Sequence, residues 1–289
     1  MYSEVITAML QGMESILVGV EADISDGLPI FEMVGYLSSE VREAKERVRM
    51  GLKNSGYKLS PKKITLNLKP AYIRKSGTGF DLPAAIALAA AMGIVLPKRL
   101  RETLLIGEIG LDGSVHPVCG ILPIVCMMKE KGIFSSVLAK ENETEAKMIH
   151  GVHVVGVSSI QEAILYLNEG MTTSSQQNNG TDIQTKIEPS KCEGEKDFKD
   201  IHGQRLIRRA CEVAVSGMHH MIIVGPPGAG KTMVASRIPS IMPEMSMDEI
   251  LDVSKIYSIC GLLPKDTILT HRPFRSPHHS ITLHGMIGG

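Results

Sequence analysis

Apolar residues at helical spacing begin after Ser38 and Ser39, either of which can cap a helix running to about Ser55. Val41, Ala44, Val48 and Leu52 share one face of it. The other side carries Arg42/Glu46 and Glu43/Arg47 four residues apart, which predicts ion pairs along a solvated face. Residues 82–97 are apolar, Ala-rich and uncharged, predicting a buried helix too short to span a bilayer comfortably. Short β-rich runs lie at 64–68 and 104–107. The second leads to Leu111-Asp112-Gly113-Ser114, where Asp-Gly between apolar runs predicts a hairpin turn. Val137-Leu138 and residues 152–157 predict further strands, with a helix over about 141–150 between them. Helix and strand mixed in this way predict an α/β or α+β layer structure.

The periodicity stops at Gly170. Residues 170–196 are polar and poor in apolar side chains, too few to offset the entropy of ordering the chain. They predict a disordered linker between a domain at 1–169 and another at 197–289. Past the linker, residues 204–216 read as a helix with Leu206, Ile207, Ala210, Val213 and Ala214 on one face. Met221-Ile222-Ile223-Val224 reads as a buried strand leading into glycine, and residues 233–238 as a helix.

Composition agrees with two folded domains. The chain has 289 residues, about two domains at roughly 150 residues each. It is 43% hydrophobic and 21% charged with zero formal net charge, which excludes a chain kept unfolded by its own charge. The zero balance advertises no global affinity for nucleic acid. With 4% aromatics and no Trp, base-stacking platforms are not the main theme. Five scattered cysteines without a Cys-x-x-Cys pair predict reduced thiols in a cytoplasmic protein. The start of the chain lacks the basic and apolar segments of a signal peptide.

The chemistry concentrates at Gly225-Pro226-Pro227-Gly228-Ala229-Gly230-Lys231-Thr232, which fits the phosphate-binding pattern GxxxxGK[ST]. Glycines let backbone N–H groups turn inward around a phosphate without Cβ clashes. Lys231 supplies a charge for the β- and γ-phosphates, and Thr232 a hydroxyl for Mg²⁺. The apolar run before the loop and the helical segment after it are the context this reading requires. ATP and Mg²⁺ are the cofactors expected.

Hydrolysis also needs an acid near the metal. Asp248-Glu249 is the nearby acidic pair, but Ser246 with Glu249 reads as a capping box opening a helix, not as the end of a strand. The adjacent pairs His219/His220 and His278/His279 face opposite sides of an extended chain and have no partner at ligand spacing, so no metal site is expected from the protein alone. His271, Arg272, Arg275, His278 and His279 form a basic, turn-rich loop. It reads either as a solvated loop or as a contact for nucleic acid or another subunit.

Taken together, these segments resemble a known family. Gly27-Leu28-Pro29, Arg42-Glu43 with Glu46-Arg47-Val48, and residues 74–83 (RKSGTGFDLP) are similar to the YifB/ComM-type, magnesium-chelatase-like AAA+ proteins. The GPPGAGKT loop and residues 272–279 (RPFRSPHH) are similar to that family's second domain. The resemblance implies a Lon-protease-like (ribosomal S5 domain 2-like) domain at 1–169, then a partial P-loop AAA+ domain. It implies assembly into hexameric rings, no membrane, and in the best understood members DNA branch migration during transformation or recombination. It places Gly79 where Lon-type peptidases carry their nucleophilic Ser and Leu122 where they carry the Lys, so peptidase activity is not expected. Ser76 lies three residues off that register. It also brings Gly203 and Gln204 near the position where AAA+ modules approach adenine.

Members of the family continue through a Walker B acid, sensor residues, an arginine finger and a helical lid. None is read before Gly289, so the sequence is expected to be a truncated or interrupted member that binds ATP and turns it over poorly. Two rival readings are a chelatase-type motor for metal insertion and a non-catalytic nucleotide-binding module.

Overall fold

The computed structural model describes residues 1–97, 99–170, 196–264, 269–278 and 280–287. The expected linker, apart from Gly170 and Lys196, lies outside the described residues, as does His279. The chain divides into two compact units, 1–183 with 253–267 and 184–252 with 268–289.

The first unit is built on a hairpin that the periodicity argument passed over. β1 (Tyr2–Gln11) and β2 (Glu14–Ser25) pair antiparallel up to Gln11↔Glu14, and the turn between them is made by Gly12 at φ +64°. That left-handed conformation is open to glycine at little cost. Val5 and Met9 of β1 and Val18, Val20 and Ala22 of β2 are buried in the core. β3 (Ile30–Val34), β4 (Lys63–Lys69), β5 (Thr103–Leu105), β6 (Glu108–Ile109), β7 (Val115–His116), β8 (Ser135–Ala139) and β9 (His153–Val157) complete the strands of this unit. The main sheet has the order β3-β4-β2-β1-β5-β8-β9, mostly parallel, with β2 running against both its neighbours. The Asp112-Gly113 turn closes a separate ribbon of β6 and β7, whereas the 104–107 run contributes β5 to the main sheet.

α1 (Ser39–Asn54) starts at Ser38, whose hydroxyl accepts from the Val41 amide at 3.5 Å. Its face of Val41, Ala44, Val48 and Leu52 is buried, as expected. Its charged face behaves differently. In place of the anticipated Glu43 partner, Arg47 reaches the fully buried carboxylate of Asp81, with Nε 2.6 Å and Nη2 3.1 Å from its two oxygens. A buried carboxylate with no other cation outcompetes a neighbour on the helix surface that water already solvates.

Asp81 opens α2 (Asp81–Ala91), which is apolar all round and buried along nearly its whole length. The expected helix over 82–97 is therefore shorter. It stops before Gly93, at φ +77°, and Leu96 is exposed. α2 packs on β1 and β2, and Ser3 Oγ donates to Ala87 O at 2.6 Å. α3 (Ile121–Glu130), α4 (Glu143–Lys147) and α5 (Ile160–Glu169) complete the helices of the segment 1–170. The helix expected over 141–150 is the short α4. The face of β1, β2 and β4 that carries Glu4, Glu21 and Lys69 bears a polar ladder. Lys69 Nζ lies 2.7 Å from Glu4 and 2.9 Å from Glu21, and the Tyr2 hydroxyl donates to Glu21 at 2.9 Å. Burial and those two carboxylates push the Tyr2 phenol up to about 12.

The second unit holds α6 (Arg205–Ser216), α7 (Lys231–Ala235), the first half of α8 (Met247–Ile259) and α9 (Leu283–Ile287). Its buried apolar centre is Phe198, Ile201, Cys211 and Val234, with Ile207, Met221, Ile223, Ile238 and Ile241 packed around it. The face expected on α6 is rotated. Cys211 is buried and Ile207, Ala214 and Val215 are half-buried, but Leu206, Ala210 and Val213 are exposed.

The buried strand expected at 221–224 does not form. The segment is unpaired; Met221 and Ile223 turn to the centre while Ile222 and Val224 are each 89% exposed. A strand becomes buried on both faces only inside a sheet, and no sheet is present in this unit among the described residues. The helix expected over 233–238 is α7, two residues earlier, followed by a 3₁₀ turn at Ile238–Ile241.

Candidate functional site

Residues 225–232 form a tight loop between the 221–224 segment and α7. Gly228 and Gly230 both have left-handed backbones, at φ +81° and +78°, with Ala229 between them. A side chain at either is strained whatever space surrounds it. Nothing lies within 4 Å of the point where a Cβ on Gly228 would stand, so the loop is open on that side. Among the described residues no hydrogen bond uses the Gly228 or Gly230 amide, while Ala229 N closes a turn onto Pro226 O at 3.3 Å. Alternating left-handed glycines that leave amides free have the form of an anion-binding concavity.

Lys231 follows at the first position of α7. Its Nζ donates to Gly225 O and Pro226 O, at 2.8 Å each. An ammonium has three donors, so one N–H remains for a further acceptor. Thr232 is exposed. α7 is only five residues long, so its dipole adds little; the amides and the Lys231 charge are what can hold an anion here. The residues fit a nucleotide's phosphates, and Lys231 with Thr232 fits Mg²⁺-bound phosphate.

The structure brings Gln204 to the same place. Gly203 and Gln204 are both left-handed, at φ +71° and +42°, and open α6. The Gln204 side-chain nitrogen lies 3.9 Å from where a Cβ on Gly230 would stand. The sequence pointed to this turn only by resemblance. A non-glycine residue with positive φ costs about 1–3 kcal/mol and clusters at functional sites.

Asp248 and Glu249 lie in the first turn of α8, and the capping box is formed. Ser246 N donates to Glu249 Oε2 at 2.8 Å, and Glu249 N to Ser246 Oγ at 3.3 Å. Glu249 also accepts from Arg272 Nη2 at 3.0 and 3.1 Å. Its carboxyl is held below the usual range, first by the Ser246 amide and then by Arg272. Arg272 donates in addition to Pro243 O at 2.8 Å. It serves this internal clamp rather than a solvated basic loop. His278 Nδ1 lies 2.7 Å from Ser280 Oγ.

In the first unit, a Cβ on Gly79 would stand 3.1 Å from Ile106 Cγ1, and Leu122 is fully buried. Neither position presents a nucleophile or a base. Ser76 is exposed beside a cleft lined by Leu10, Tyr72 and Arg74, and no base is hydrogen-bonded to it among the described residues. The neighbouring Lys75 is wholly buried, its ammonium donating to Pro70 O and Ile73 O. Burial pushes that amine below the ordinary lysine value.

Comparison with known proteins places these features. Residues 20–142 match the family model described as subunit ChlI of Mg-chelatase, and residues 197–289 the one described as magnesium chelatase, subunit ChlI. Protein YifB of Escherichia coli is 36% identical over 278 residues, covering 96% of this chain and 53% of that protein. Competence protein ComM of Haemophilus influenzae is 32% identical over 282 residues, covering 96% and 54%. Lon protease 2 of Bacillus subtilis is 28% identical over 148 residues, 48% of this chain and 26% of its own length. The chain spans about half the length of the YifB and ComM relatives it matches. With both family models matched and these relatives aligned along almost its whole length, the chain belongs to the magnesium-chelatase-like family of YifB and ComM.

Proposed function

We propose that the chain is an ATP-binding protein whose second domain, 197–289, is the N-terminal part of a P-loop module of AAA+ type and whose first domain, 1–169, is a peptidase-inactive Lon-like scaffold. The observation that carries this is the loop 225–232, with left-handed Gly228 and Gly230 leading into Lys231 and Thr232. Bound Mg·ATP would supply a scissile phosphoanhydride. This chain's part is to hold it. The loop amides and the remaining N–H of Lys231 would hold the phosphates, Thr232 would offer a hydroxyl to the metal, and Gln204 with Gly203, near Gly230, would lie toward adenine. Slow turnover is expected, because the acid of the Asp248-Glu249 pair that caps α8, Glu249, is already engaged by Ser246 and Arg272.

In the whole protein we propose a cytoplasmic, ring-forming ATPase that remodels branched DNA, supported by the likeness to a competence protein. The second reading, a chelatase-type motor for metal insertion, is favoured by the descriptions of the two matched family models. The alignment of Lon protease 2 along 148 residues weighs against it. Calorimetric titration with ATP and Mg²⁺ tests the binding reading. Measurable affinity in the wild type, and a ten- to hundredfold loss in Lys231→Ala, is the result expected when one charge-assisted contact of about 1.5–3 kcal/mol is removed. Equal affinity in the two proteins overturns it. Peptidase inactivity is checked with unfolded casein; cleavage abolished by Ser76→Ala would refute the scaffold reading.

A further inference from the structure

A cleft of about 410 Å³ opens in the first unit where the second half of α1, the segment 58–62 and the start of β3 meet. Its floor is apolar, made by Phe31, Met50, Leu59 and Ile64. Its rim is cationic, made by Arg49, Lys53, Lys58 and Lys62. Two of the four charges are answered within the unit, Arg49 by Glu46 at 3.6 Å and Lys62 by Asp26 at 2.9 Å. Lys53 and Lys58 are exposed and make no ion pair among the described residues.

The cleft adjoins the end of the main sheet. β3 is the terminal strand; it pairs with β4 on one side and with no strand on the other among the described residues. Ile30 and Val34 within it are 46% and 47% exposed, and Leu28, two residues before it, is 86% exposed. An unpaired strand that exposes apolar side chains is a template for another chain unless it is short, charged or covered. Here Glu32 is the single charge within β3.

We propose that this edge takes an extended acidic peptide of a partner protein as an added strand, its carboxylates against Lys53 and Lys58 and an apolar side chain in the cleft. Strand addition draws affinity from the backbone and specificity from alternate side chains. An edge of free amides and carbonyls beside an apolar pocket, with Lys53 and Lys58 on its rim outside any ion pair among the described residues, meets both requirements. The same observations disfavour nucleic acid. An apolar floor offers nothing to a sugar–phosphate chain, and Phe31 is the one aromatic ring present for base stacking. The inference is independent of the nucleotide loop.

The test uses the full chain and a fluorescein-labelled twelve-residue peptide alternating Glu and Val, followed by anisotropy at low salt. The expected result is saturable binding, weakened at least tenfold by the double charge reversal K53E/K58E and equally by replacing the peptide with its Lys/Val counterpart. Hydrogen exchange with bound peptide should slow at residues 30–34. If the charge-reversed protein does not give a wild-type circular dichroism melt, K53Q/K58Q replaces it, with a smaller loss expected. The proposal is overturned by no saturation up to millimolar peptide, by equal affinity in the folded variant, or by protection gained elsewhere. It is also overturned if a mixed-sequence single-stranded oligonucleotide, but not the peptide, is sensitive to the substitutions.

Discussion

In the first unit α2 is buried along nearly all its length, with Leu82, Ile86 and Leu88 showing no exposed surface. In the second, α6 leaves Leu206 87% and Val213 52% exposed, and the segment before the glycine loop 225–232 turns two of its four apolar side chains to solvent. α2 is apolar all round, whereas α6 sets its apolar residues among three Arg and a Glu, yet even part of that apolar face stays exposed. A sheet accounts for the rest of the difference: strands on one side of α2 bury its residues at a distance in sequence, and α6 has no such platform among the described residues. Apolar pattern sets what a helix can bury; the partner determines what it does bury.

The sharpest way to break the comparison is at Arg47. Removing it leaves the Asp81 carboxylate buried without a cation, so Arg47→Ala should destabilise the first unit by about 3–5 kcal/mol at neutral pH, read by urea denaturation. Burial, opposed by Arg47, already raises the Asp81 carboxyl above its ordinary value. A folded carboxyl raised in this way binds protons that the unfolded chain does not. Stability tied to it therefore falls as pH rises through the window between the ordinary and the raised value. Without Arg47 the window widens, so the deficit relative to wild type should shrink on acidification. Asp81→Asn in the Arg47→Ala background should recover part of it. A deficit independent of pH would show that Arg47 acts through packing instead.

Next in size, Leu88→Ala should cost about 2–5 kcal/mol by transfer and cavity terms, whereas Leu206→Ala on α6 should stay within about 0.5 kcal/mol. Equal effects by thermal melting would mean that α6 is covered in solution. Lys231→Ala should leave both melts unchanged while lowering nucleotide affinity by the factor given above, because its ammonium lies on an exposed loop. The smallest change in stability, under about 0.5 kcal/mol, is expected for Ile222→Thr with Val224→Thr. That pair should nevertheless reduce self-association in sedimentation velocity, since it removes the exposed apolar side chains.

The features legible in sequence were those made by neighbours along the chain. The glycine loop, the buried face of α1, the Ser246/Glu249 box and the Asp112-Gly113 turn are all fixed within a few residues, and all formed. Pairings that close across longer separations were not legible. Arg47 and Asp81 are 34 residues apart, and the helix offered Arg47 a nearer partner. The β1–β2 hairpin is an exception, because its signal was present. In β2, Val18, Val20, Ala22 and Ile24 alternate with Gly19, Glu21 and Asp23, a pattern of period two that helical spacing does not register. The strand expected at 221–224 failed for the opposite reason: a run of four apolar residues says nothing about whether a neighbouring strand exists to pair with it.

Lys75 gives the first unit an internal clock. Surface amines are always accessible to an acylating reagent, but an amine with no exposed surface, fastened to the Pro70 and Ile73 carbonyls, is acylated only when its surroundings open. The fraction of Lys75 modified over time therefore measures how often this part of the fold breathes, residue-specifically and without denaturant. Because the acyl group is not lost when the fold recloses, each opening that is caught leaves a permanent mark on the chain.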